Sequence, residues 1–391
     1  MSLPAPDRPH ILFLFSDTGG GHRAAVNAII EALDLQFPGQ TTQEMVDIFR
    51  EYAPPPLTYA PEIYPPLSRM PQVWGMGYHL IDGKRRARLL YQMMWPYIRW
   101  GLQRLVREHP ADLIVSVHQL FNEPMVRAIA QSGKKMPFAT VVTDLVSTHA
   151  AWFTNQADLI IVPTSAAYRR ALALGISPER VEVVGLPVAN QFCQPLGDPS
   201  GDRREIRKRL GWSENRPVVL LVGGGEGMGP LEPVARAIDA ANLPIQLAII
   251  TGRNQKLQQN LQKYSWKTPT HIYGFVHEMP DFMHAADILV TKAGPGTISE
   301  AFISGLPLIL YSRLPGQEDG NVDYVVGNGA GVWAPRPDKV VRALSFWLDH
   351  PEQREAAVAA CRRLARPNAS RDIARLLAAR AGVTEPPDSR P

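Results

Sequence analysis

Short apolar segments recur along the first half of the chain, separated by turn residues and by segments with helical spacing of their apolar positions. They cover residues 11–15, 113–117, 138–143 and 159–162. Segments this short that are apolar on both faces are typical of strands buried in a parallel sheet, whereas a strand with one wet face would alternate apolar and polar positions. The pattern therefore predicts a series of βα units.

The same alternation starts again in the second half. Strands are predicted at residues 218–222, 245–251, 272–275, 288–291 and 308–311, and the connecting sequence CQPLGDPSGDRRE is rich in Pro, Gly and Asp like a linker. We therefore predict two Rossmann-like, doubly wound α/β domains facing each other across a cleft. The expected parts are an N-terminal domain at 1–193, a linker at 194–205, a C-terminal domain at 206–350, and a helical segment at 351–391 that can pack back on the N-terminal domain and ends in a disordered tail.

Composition and charge narrow the class of protein. The 391 residues are 45% hydrophobic and 20% charged, which is enough to bury two cores. The formal net charge is only +4, but basic residues cluster locally, which favours anionic membranes or phosphorylated ligands over nucleic acid. Cys193 and Cys361 lack the spacing of a zinc site or a disulfide framework. Neither a signal core nor an apolar run of about 18 residues is found, so we expect any membrane to be met from one side.

The first predicted strand is followed at once by the turn SDTGGGHR, which begins at Ser16. Glycines at a strand-to-helix turn let the backbone approach a ligand closely, and the following helix N-terminus offers N–H groups and a positive dipole end. Gly20 and Gly21 are therefore candidate binding residues, and His22 is the first side chain beyond them. The turn lacks the G-x-G-x-x-G spacing of a dinucleotide site, so a nicotinamide cofactor is disfavoured. A lone histidine here could instead shield the first helical turn.

Two glycine-rich turns in the second half have the same character. The strand at 218–222 runs into GGGEGMGP, and the strand at 288–291 runs into KAGPGTISEA. The second of these turns would open a helix at Gly294, Gly296 and Thr297. Its N–H groups suit a phosphate group, and Glu300, one turn further on, could accept hydrogen bonds from a ribose diol. Taken alone, Glu300 would more simply be a solvated helix acid.

These motifs together resemble a known family. SDTGGGHR, KAGPGTISEA and GLPLILYSRLPGQEDGNVDYVVGNGAG are similar to segments of the monogalactosyldiacylglycerol synthases, relatives of bacterial diacylglycerol glucosyltransferases and, more distantly, of the lipid-linked N-acetylglucosaminyltransferase of peptidoglycan synthesis. The similarity runs from Ile11 to about Trp333. It implies a GT-B fold of the family 28 type, with a nucleotide-sugar bound mainly by the C-terminal domain and a lipid acceptor bound mainly by the N-terminal domain.

The resemblance implies where the donor would bind. The diphosphate would lie against Gly224, Gly225 and the turn at 294–297, and Glu300 would hold the ribose hydroxyls. The other implied donor contacts are Phe275 and Val276 beside the uracil, and Gln317, Glu318 and Asn321 beside the hexose. We expect no metal and no other cofactor, because no Asp-x-Asp pair of the kind that holds Mg²⁺ lies near this site.

The chemistry of sugar transfer suggests how the N-terminal domain works. His22 is the leading candidate for the general base, since a helix N-terminus keeps its ring neutral near pH 7. Asp144 is the competing base or an orienting partner, and which of the two is the base stays open. The resemblance implies acceptor contacts at His118, His149 and Trp152, which lie in SVHQ and VVTDLVSTHAAWF. The family has SVHP and His-Pro where this chain has SVHQ and His-Ala.

A third candidate region, residues 54–110, alternates Pro-rich segments with aromatic, methionine and basic clusters. Basic residues beside interfacial aromatic side chains are typical of a surface that binds anionic lipid. The predicted membrane-binding residues are Arg85, Arg86, Trp95 and Trp100. The alternative is a core helix with a solvated basic end. We expect a peripheral protein on the cytoplasmic face of the cell membrane, and the oligomeric state stays open.

The sequence thus predicts an inverting glycosyltransferase that moves a hexose from a UDP-hexose to 1,2-diacylglycerol and yields a β-monoglycosyldiacylglycerol. Galactose is favoured over glucose, although the two differ only in the orientation of one hydroxyl. Two alternatives stay open: N-acetylglucosaminyl transfer to a polyprenyl-diphosphate lipid, and a non-catalytic nucleotide- or lipid-binding module. The expected partners are UDP-hexose, diacylglycerol and anionic membrane lipids, with no nucleic acid.

Overall fold

The computed structural model describes residues 8–18, 20–68, 70–193 and 199–383 of the chain. They form two compact units, one built from the chain up to Asn190 together with the chain from Asn368 onwards, and the other from Gln191 to Pro367. Each unit contains one six-stranded sheet whose strand pairs are all parallel. The prediction of two doubly wound α/β domains is confirmed.

The first unit carries six strands and seven helices before the chain enters the second unit. The strands are β1 (His10–Phe15), β2 (Thr42–Asp47), β3 (Leu113–Ser116), β4 (Phe138–Val141), β5 (Leu159–Val162) and β6 (Val181–Val183), in the order β2-β1-β3-β4-β5-β6. The helices are α1 (Gly21–Gln36), α2 (Ile48–Tyr52), α3 (Ala60–Ser68), α4 (Pro71–Ile81), α5 (Lys84–Glu108), α6 (Asn122–Ser132) and α7 (Ser165–Ala173). Short 3-10 helices occupy Leu57–Tyr59, Gln119–Phe121, Ala150–Trp152 and Pro178–Arg180.

The second unit repeats this organisation. After α8 (Asn190–Cys193), its helices are α9 (Pro199–Leu210), α10 (Leu231–Ala240), α11 (Gln255–Gln262), α12 (Met279–Ala285), α13 (Pro295–Ile303), α14 (Asp319–Gly327), α15 (Pro337–Asp349) and α16 (Pro351–Leu364). Its strands are β7 (Val218–Val222), β8 (Gln246–Ile250), β9 (Thr270–Tyr273), β10 (Ile288–Lys292), β11 (Leu308–Ser312) and β12 (Gly331–Trp333), in the order β12-β11-β10-β7-β8-β9. The last helix, α17 (Ala369–Arg380), belongs to the first unit.

Alternate residues of β1 enter two different cores, which explains why this strand is apolar throughout. Ile11 and Phe13 pack with side chains of α1 and α17, whereas Leu12 and Leu14 pack with side chains of α5 and α6. The first sheet is therefore covered by helices on both faces, as parallel sheets require. None of the helices within the described residues is long and apolar enough to cross a membrane.

The boundaries between the units differ from those expected at 193, 205 and 350. Arg203 and Arg207 of α9 donate to Asp287 at 3.0 and 2.6 Å, so the second half of the expected linker is part of the second unit, while residues 194–198 lie outside the described residues. The C-terminal segment divides: α16 packs on α13 of the second unit, and α17 packs on α1 of the first.

Each sheet has one topological switch point, at which the strand order reverses and the next strand is added on the other side of the first one. The chain passes from β1 to β2 on one side and then returns to place β3 on the other side of β1; in the second sheet β10 joins β7 in the same way. Ligands of doubly wound sheets bind outside the carboxyl ends of the strands at such switch points. The turns after β1 and β3, and those after β7 and β10, are therefore the places where sites are expected.

Candidate active site

The switch point of the first unit brings three strand ends to one histidine. His22 follows β1, and its Nδ1 lies 3.1 Å from the hydroxyl of Thr143, which follows β4. The ring of His118, which follows β3, lies with its centroid 4.8 Å from that of His22. The parallel order β1-β3-β4 places these three strand ends side by side, so residues far apart in sequence become neighbours.

His22 is held as a neutral imidazole. Its side chain is half-buried in the second position of α1, and burial lowers its pKa from the ordinary 6.5 to about 4, against a smaller opposing effect of a hydrogen bond to the backbone of Val117. Gly20 caps this helix with φ of 75°, in the left-handed region that glycine adopts without strain. A side chain at Gly21 would meet nothing within 4 Å, so the helix N-terminus stays open beside the histidine.

Asp144, which also follows β4, is bound to a tryptophan whose ring lies near this histidine. Its Oδ2 accepts from Nε1 of Trp152 at 2.6 Å, and the exposed fractions of the two side chains are 2% and 0%. The ring of Trp152 is 6.4 Å from that of His22, and the backbone carbonyl of Trp152 accepts from Asn122. Asp144 therefore orients the ring of Trp152, which forms a buried inner wall beside His22 with no exposed surface of its own. Asp144 is also much less accessible to a substrate than His22.

The two other predicted acceptor histidines use their rings to hold backbone. Nδ1 of His118 accepts from the amide of Leu120 at 3.4 Å, and Nδ1 of His149 accepts from the amide of Ala151 at 3.0 Å. Burial lowers the pKa of both histidines. The structure brings His118 to His22, but places His149 against the ring of Tyr78 on α4, at a centroid distance of 4.9 Å.

In the second unit, the turn after β7 interlocks with the turn after β8. A Cβ at Gly227 would lie 2.2 Å from the carbonyl oxygen of Thr251, and one at Gly252 would lie 2.3 Å from that of Gly225. Only glycine fits such contacts, so the predicted turn at Gly224 and Gly225 is a rigid backbone cradle.

A lysine that the sequence reasoning missed lies between the two glycine turns. Lys292 ends β10, and its side-chain atoms lie 3.2 Å from a Cβ built at Gly224 and 3.0 Å from one built at Gly294. Its Nζ pairs with Oε1 of Glu318 at 2.6 Å, and both side chains are largely buried. A cation flanked by two glycine turns is a suitable arrangement for binding an anion.

The surroundings of Glu318 differ from those expected of a hexose contact. One carboxylate oxygen holds Lys292, and the other accepts from the amide of Leu314 at 2.8 Å. Asn321 is equally buried and donates to the carbonyl of Ala293, which fixes the turn before α13. In this structure both side chains hold other parts of the site in place through buried hydrogen bonds. Gln317, the other predicted hexose contact of this segment, is half-buried.

Glu300 is an unusual acid for a helix surface. It is half-buried in α13, its side chain makes no hydrogen bond to another described residue, and burial raises its pKa from 4.5 to about 7. At the start of the same helix, Gly296 has no atom within 4 Å of a Cβ, and Thr297 is half-buried. The first turn of α13 thus combines helix N–H groups with a carboxyl group that has spare hydrogen-bonding capacity.

Phe275 lies just beyond the end of β9, two residues past Tyr273, with 45% of its surface exposed. The guanidinium of Arg253 lies 4.4 Å above its ring and pairs with Glu226 at 2.7 Å. One face of the predicted uracil platform is therefore covered by Arg253. Val276, the next residue, is half-buried.

The predicted membrane-binding residues all lie on the helix α5. Arg85 and Arg86 are exposed, and so is Trp100 with an exposed fraction of 66%. The prediction is wrong for Trp95, whose exposed fraction is 6%, because it packs in the core of the first unit beneath the guanidinium of Arg127. Within the described ranges, no group of three or more His, Cys, Asp or Glu side chains is arranged to hold a metal ion.

Two family models match the chain. The model of monogalactosyldiacylglycerol (MGDG) synthase matches residues 22–188, and that of the glycosyltransferase family 28 C-terminal domain matches residues 218–366. The probable monogalactosyldiacylglycerol synthase of Nicotiana tabacum is 38% identical over 370 residues, which cover 92% of this chain and 68% of the tobacco protein. The chain belongs to the monogalactosyldiacylglycerol synthase family. Monogalactosyldiacylglycerol synthase 1 of Arabidopsis thaliana is 37% identical, with 93% and 69% of the two chains covered, and both relatives are named chloroplastic.

Solved structures support the fold. S. aureus MnaA, solved with UDP, aligns over 96% of this chain and 98% of its own with a TM-score of 0.61 and 13% identity. Acinetobacter baumannii MurG aligns over 94% and 98% with a TM-score of 0.55 and 15% identity. Identities this low show the fold alone, which is GT-B. The predicted family and fold are both confirmed, and a member of this family is a glycosyltransferase.

Proposed function

We propose that this chain transfers galactose from UDP-galactose to the hydroxyl of 1,2-diacylglycerol with inversion, forming β-monogalactosyldiacylglycerol. The observation that carries the proposal is membership of a family whose relatives are named for this product, at 37–38% identity over more than nine-tenths of the chain. The match of residues 22–188 to the synthase model favours diacylglycerol over a polyprenyl-diphosphate acceptor. Glucose is the alternative sugar.

His22 is the proposed general base. The acceptor oxygen forms a bond to the anomeric carbon as the bond from that carbon to the β-phosphate oxygen breaks, and the electron pair leaves with UDP. The proton of the acceptor hydroxyl passes to His22, which is neutral at pH 7 because its pKa is about 4. Asp144 is bound to Trp152 and nearly inaccessible, which supports an orienting role for it.

The departing UDP gains negative charge, and the proposed diphosphate site of the second unit carries a positive charge and amide donors. The candidates are Lys292, the backbone of the turn at 223–229, and the N-terminal turn of α13. Groups already fixed in place can stabilise the leaving group without rearranging. Metal-independent transfer stays a prediction, and these groups are its proposed basis.

Glu300 is the proposed partner of the ribose. Its carboxyl group is left without a hydrogen bond among the described residues, so a diol that donates to it would satisfy a group that the fold leaves unpaired. The ribose hydroxyls would thereby favour the charged form of the carboxyl group, which burial otherwise disfavours.

A surface of α3, α4 and α5 is the proposed membrane contact. Its large apolar side chains are more than 40% exposed, and they are Ile63, Val73, Met76, Leu80, Leu89, Met93, Tyr97 and Trp100. Basic residues at the start of α5 lie beside them. Apolar and basic side chains together suit peripheral binding to anionic lipid. The cytoplasmic face of the cell membrane stays a prediction.

A product assay tests this function. The purified chain would be incubated with diacylglycerol liposomes and either UDP-galactose or UDP-glucose, with a polyprenyl-diphosphate lipid as the alternative acceptor. We expect a monohexosyl lipid from UDP-galactose and diacylglycerol, with a β-anomeric proton by NMR. A product only from UDP-glucose would change the sugar, an α product would contradict inversion, and transfer only to the polyprenyl lipid would refute the proposed acceptor.

A further inference from the structure

Two of the three helices of the proposed membrane surface, α4 and α5, are bonded to the loop that carries Trp152. Asp82, between α4 and α5, accepts from the amide of Ala150 at 2.9 Å and from Arg170 of α7 at 2.9 and 3.0 Å. Tyr78 of α4 donates to the carbonyl of Ser147 at 2.8 Å. Tyr78 of α4 and Asp82 just after α4 thus hold the two ends of the 147–150 segment of the loop.

A second tie comes from inside α5. Tyr91 is buried, and its hydroxyl lies 3.2 Å from the carbonyl oxygens of both Gln119 and Ala151. These carbonyls belong to the two short 3-10 helices that follow β3 and β4. Ala87 and Tyr91 of α5 form a small apolar cluster with Ala150 and Ala151.

The 147–150 segment is followed by Trp152, whose ring lies near the candidate base His22. Trp152 ends the 3-10 helix that begins at Ala150, its indole donates to Asp144, and its ring is 6.4 Å from that of His22. Since Trp152 is fully buried, close packing couples the position of its ring to that of this helix. The hydrogen bonds of Tyr78, Asp82 and Tyr91 therefore hold the segment that positions the ring of Trp152.

We propose that Asp82 and Tyr91 are positioning residues for sugar transfer, which fix the 150–152 helix and, through Trp152, set Asp144 and the aromatic wall beside His22. The inference rests on the proposed function, because the wall matters only if the acceptor reacts there. These contacts connect the helices that would touch the membrane to the residues that would act on the diacylglycerol hydroxyl. The helices α4 and α5 would then support catalysis as well as membrane binding.

Tyr91→Phe and Asp82→Ala test the proposal in the full chain, because Ala removes the oxygen that accepts from the amide of Ala150. Tyr91→Phe removes one hydroxyl and keeps the ring in the core, and Tyr168→Phe is the matched control, because the Tyr168 hydroxyl makes no hydrogen bond to another described residue. We expect the amides of residues 147–152 to exchange hydrogen faster in both variants than in the wild type. In the control their exchange rate should equal that of the wild type. On dispersed short-chain diacylglycerol, kcat should fall about two- to tenfold in Tyr91→Phe, as for loss of one neutral hydrogen bond, and at least as much in Asp82→Ala, with the KM for UDP-galactose unchanged in both.

A third variant separates positioning from simple destabilisation. In a Trp152→Phe background, which removes the indole donor to Asp144, Asp82→Ala should lower kcat little further, because both changes act through the same wall. Full additivity would overturn the proposal, and so would unchanged exchange in residues 147–152, or faster exchange with kcat unchanged. A wild type that makes no galactolipid would refute the proposed function instead, and the exchange measurement would still show whether Asp82 and Tyr91 hold the loop.

Discussion

Replacing Glu300 by Gln tests the idea that the fold keeps a destabilising acid for ligand binding. Below pH 4.5 the carboxyl group is protonated in both the folded and the unfolded chain. Between pH 4.5 and about 7 the unfolded chain releases this proton first, so the free energy of unfolding falls as pH rises. Above about pH 7 the loss is complete. Gln cannot ionise, so the variant should escape this loss.

The size of the effect follows from the two pKa values of Glu300. The interval from 4.5 to about 7, at roughly 1.4 kcal/mol per pH unit, corresponds to about 3 kcal/mol, and the partial exposure of the side chain makes this an upper limit. Glu300→Gln should therefore be more stable than wild type at pH 8 and nearly equal at pH 5. Proteolysis in urea, with peptides from residues 218–366 identified by mass spectrometry, reports the second unit separately. Glu355→Gln, an exposed acid on α16, is the control.

The same variant should bind the donor less well while being more stable. UDP-galactose is the suitable ligand, because its diphosphate has no group that titrates near pH 7. At pH 8 the affinity should fall by at least about tenfold, because Gln replaces one of the two acceptor oxygens by an NH2 donor and removes the negative charge, and the difference from wild type should narrow towards pH 5. Equal stability at both pH values would refute the buried-acid reasoning. Unchanged affinity at pH 8 would remove Glu300 from the donor site.

Three further outcomes are expected. Lys292→Met should weaken UDP-galactose binding at least about tenfold by calorimetry and also lower the stability measured by urea unfolding, because Glu318 is left unpaired. The double variant Lys292→Met with Glu318→Gln should regain stability but not affinity; recovered affinity would make the lysine structural only. EDTA should leave the transfer rate largely unchanged, and a loss that Mg²⁺ reverses would overturn metal-independence. Changing the four basic residues at the start of α5 to Gln should reduce flotation with anionic vesicles by more than about tenfold while sparing activity on dispersed substrate; these residues are Lys84, Arg85, Arg86 and Arg88. Equal flotation would place membrane binding elsewhere.

The sequence predicted the central strands of both sheets and missed three at their edges. β2, β6 and β12 end their sheets, and most positions of each are partly or fully exposed, whereas a central strand is buried except for a single end residue at most. Such strands lack the continuous apolar run that identifies the central ones. β9, another edge strand, was placed two residues too late, which put Phe275 inside a strand instead of beyond its end.

The candidate site was predictable where backbone geometry leaves a signature in the sequence. Glycine runs identified the turns after β1, β7 and β10, and these lie at the switch points of the two sheets. The position of a long side chain is set by tertiary packing instead, so Lys292 and its pairing with Glu318 were not foreseen. The error at Trp95 was avoidable, because α5 has two apolar stripes. Trp95 shares its stripe with buried Ile98 and Leu102, whereas Trp100 shares the other with exposed side chains.

The transfer rate of His22→Ala at saturating UDP-galactose tests the central claim most directly, because it isolates the proton acceptor from donor binding. If His22 takes the proton of the acceptor hydroxyl, the rate should fall by about two to four orders of magnitude while the dissociation constant of UDP-galactose, measured on the same preparation, stays close to that of wild type. A fall of less than about tenfold would contradict the assignment and make Asp144 the better candidate for the base.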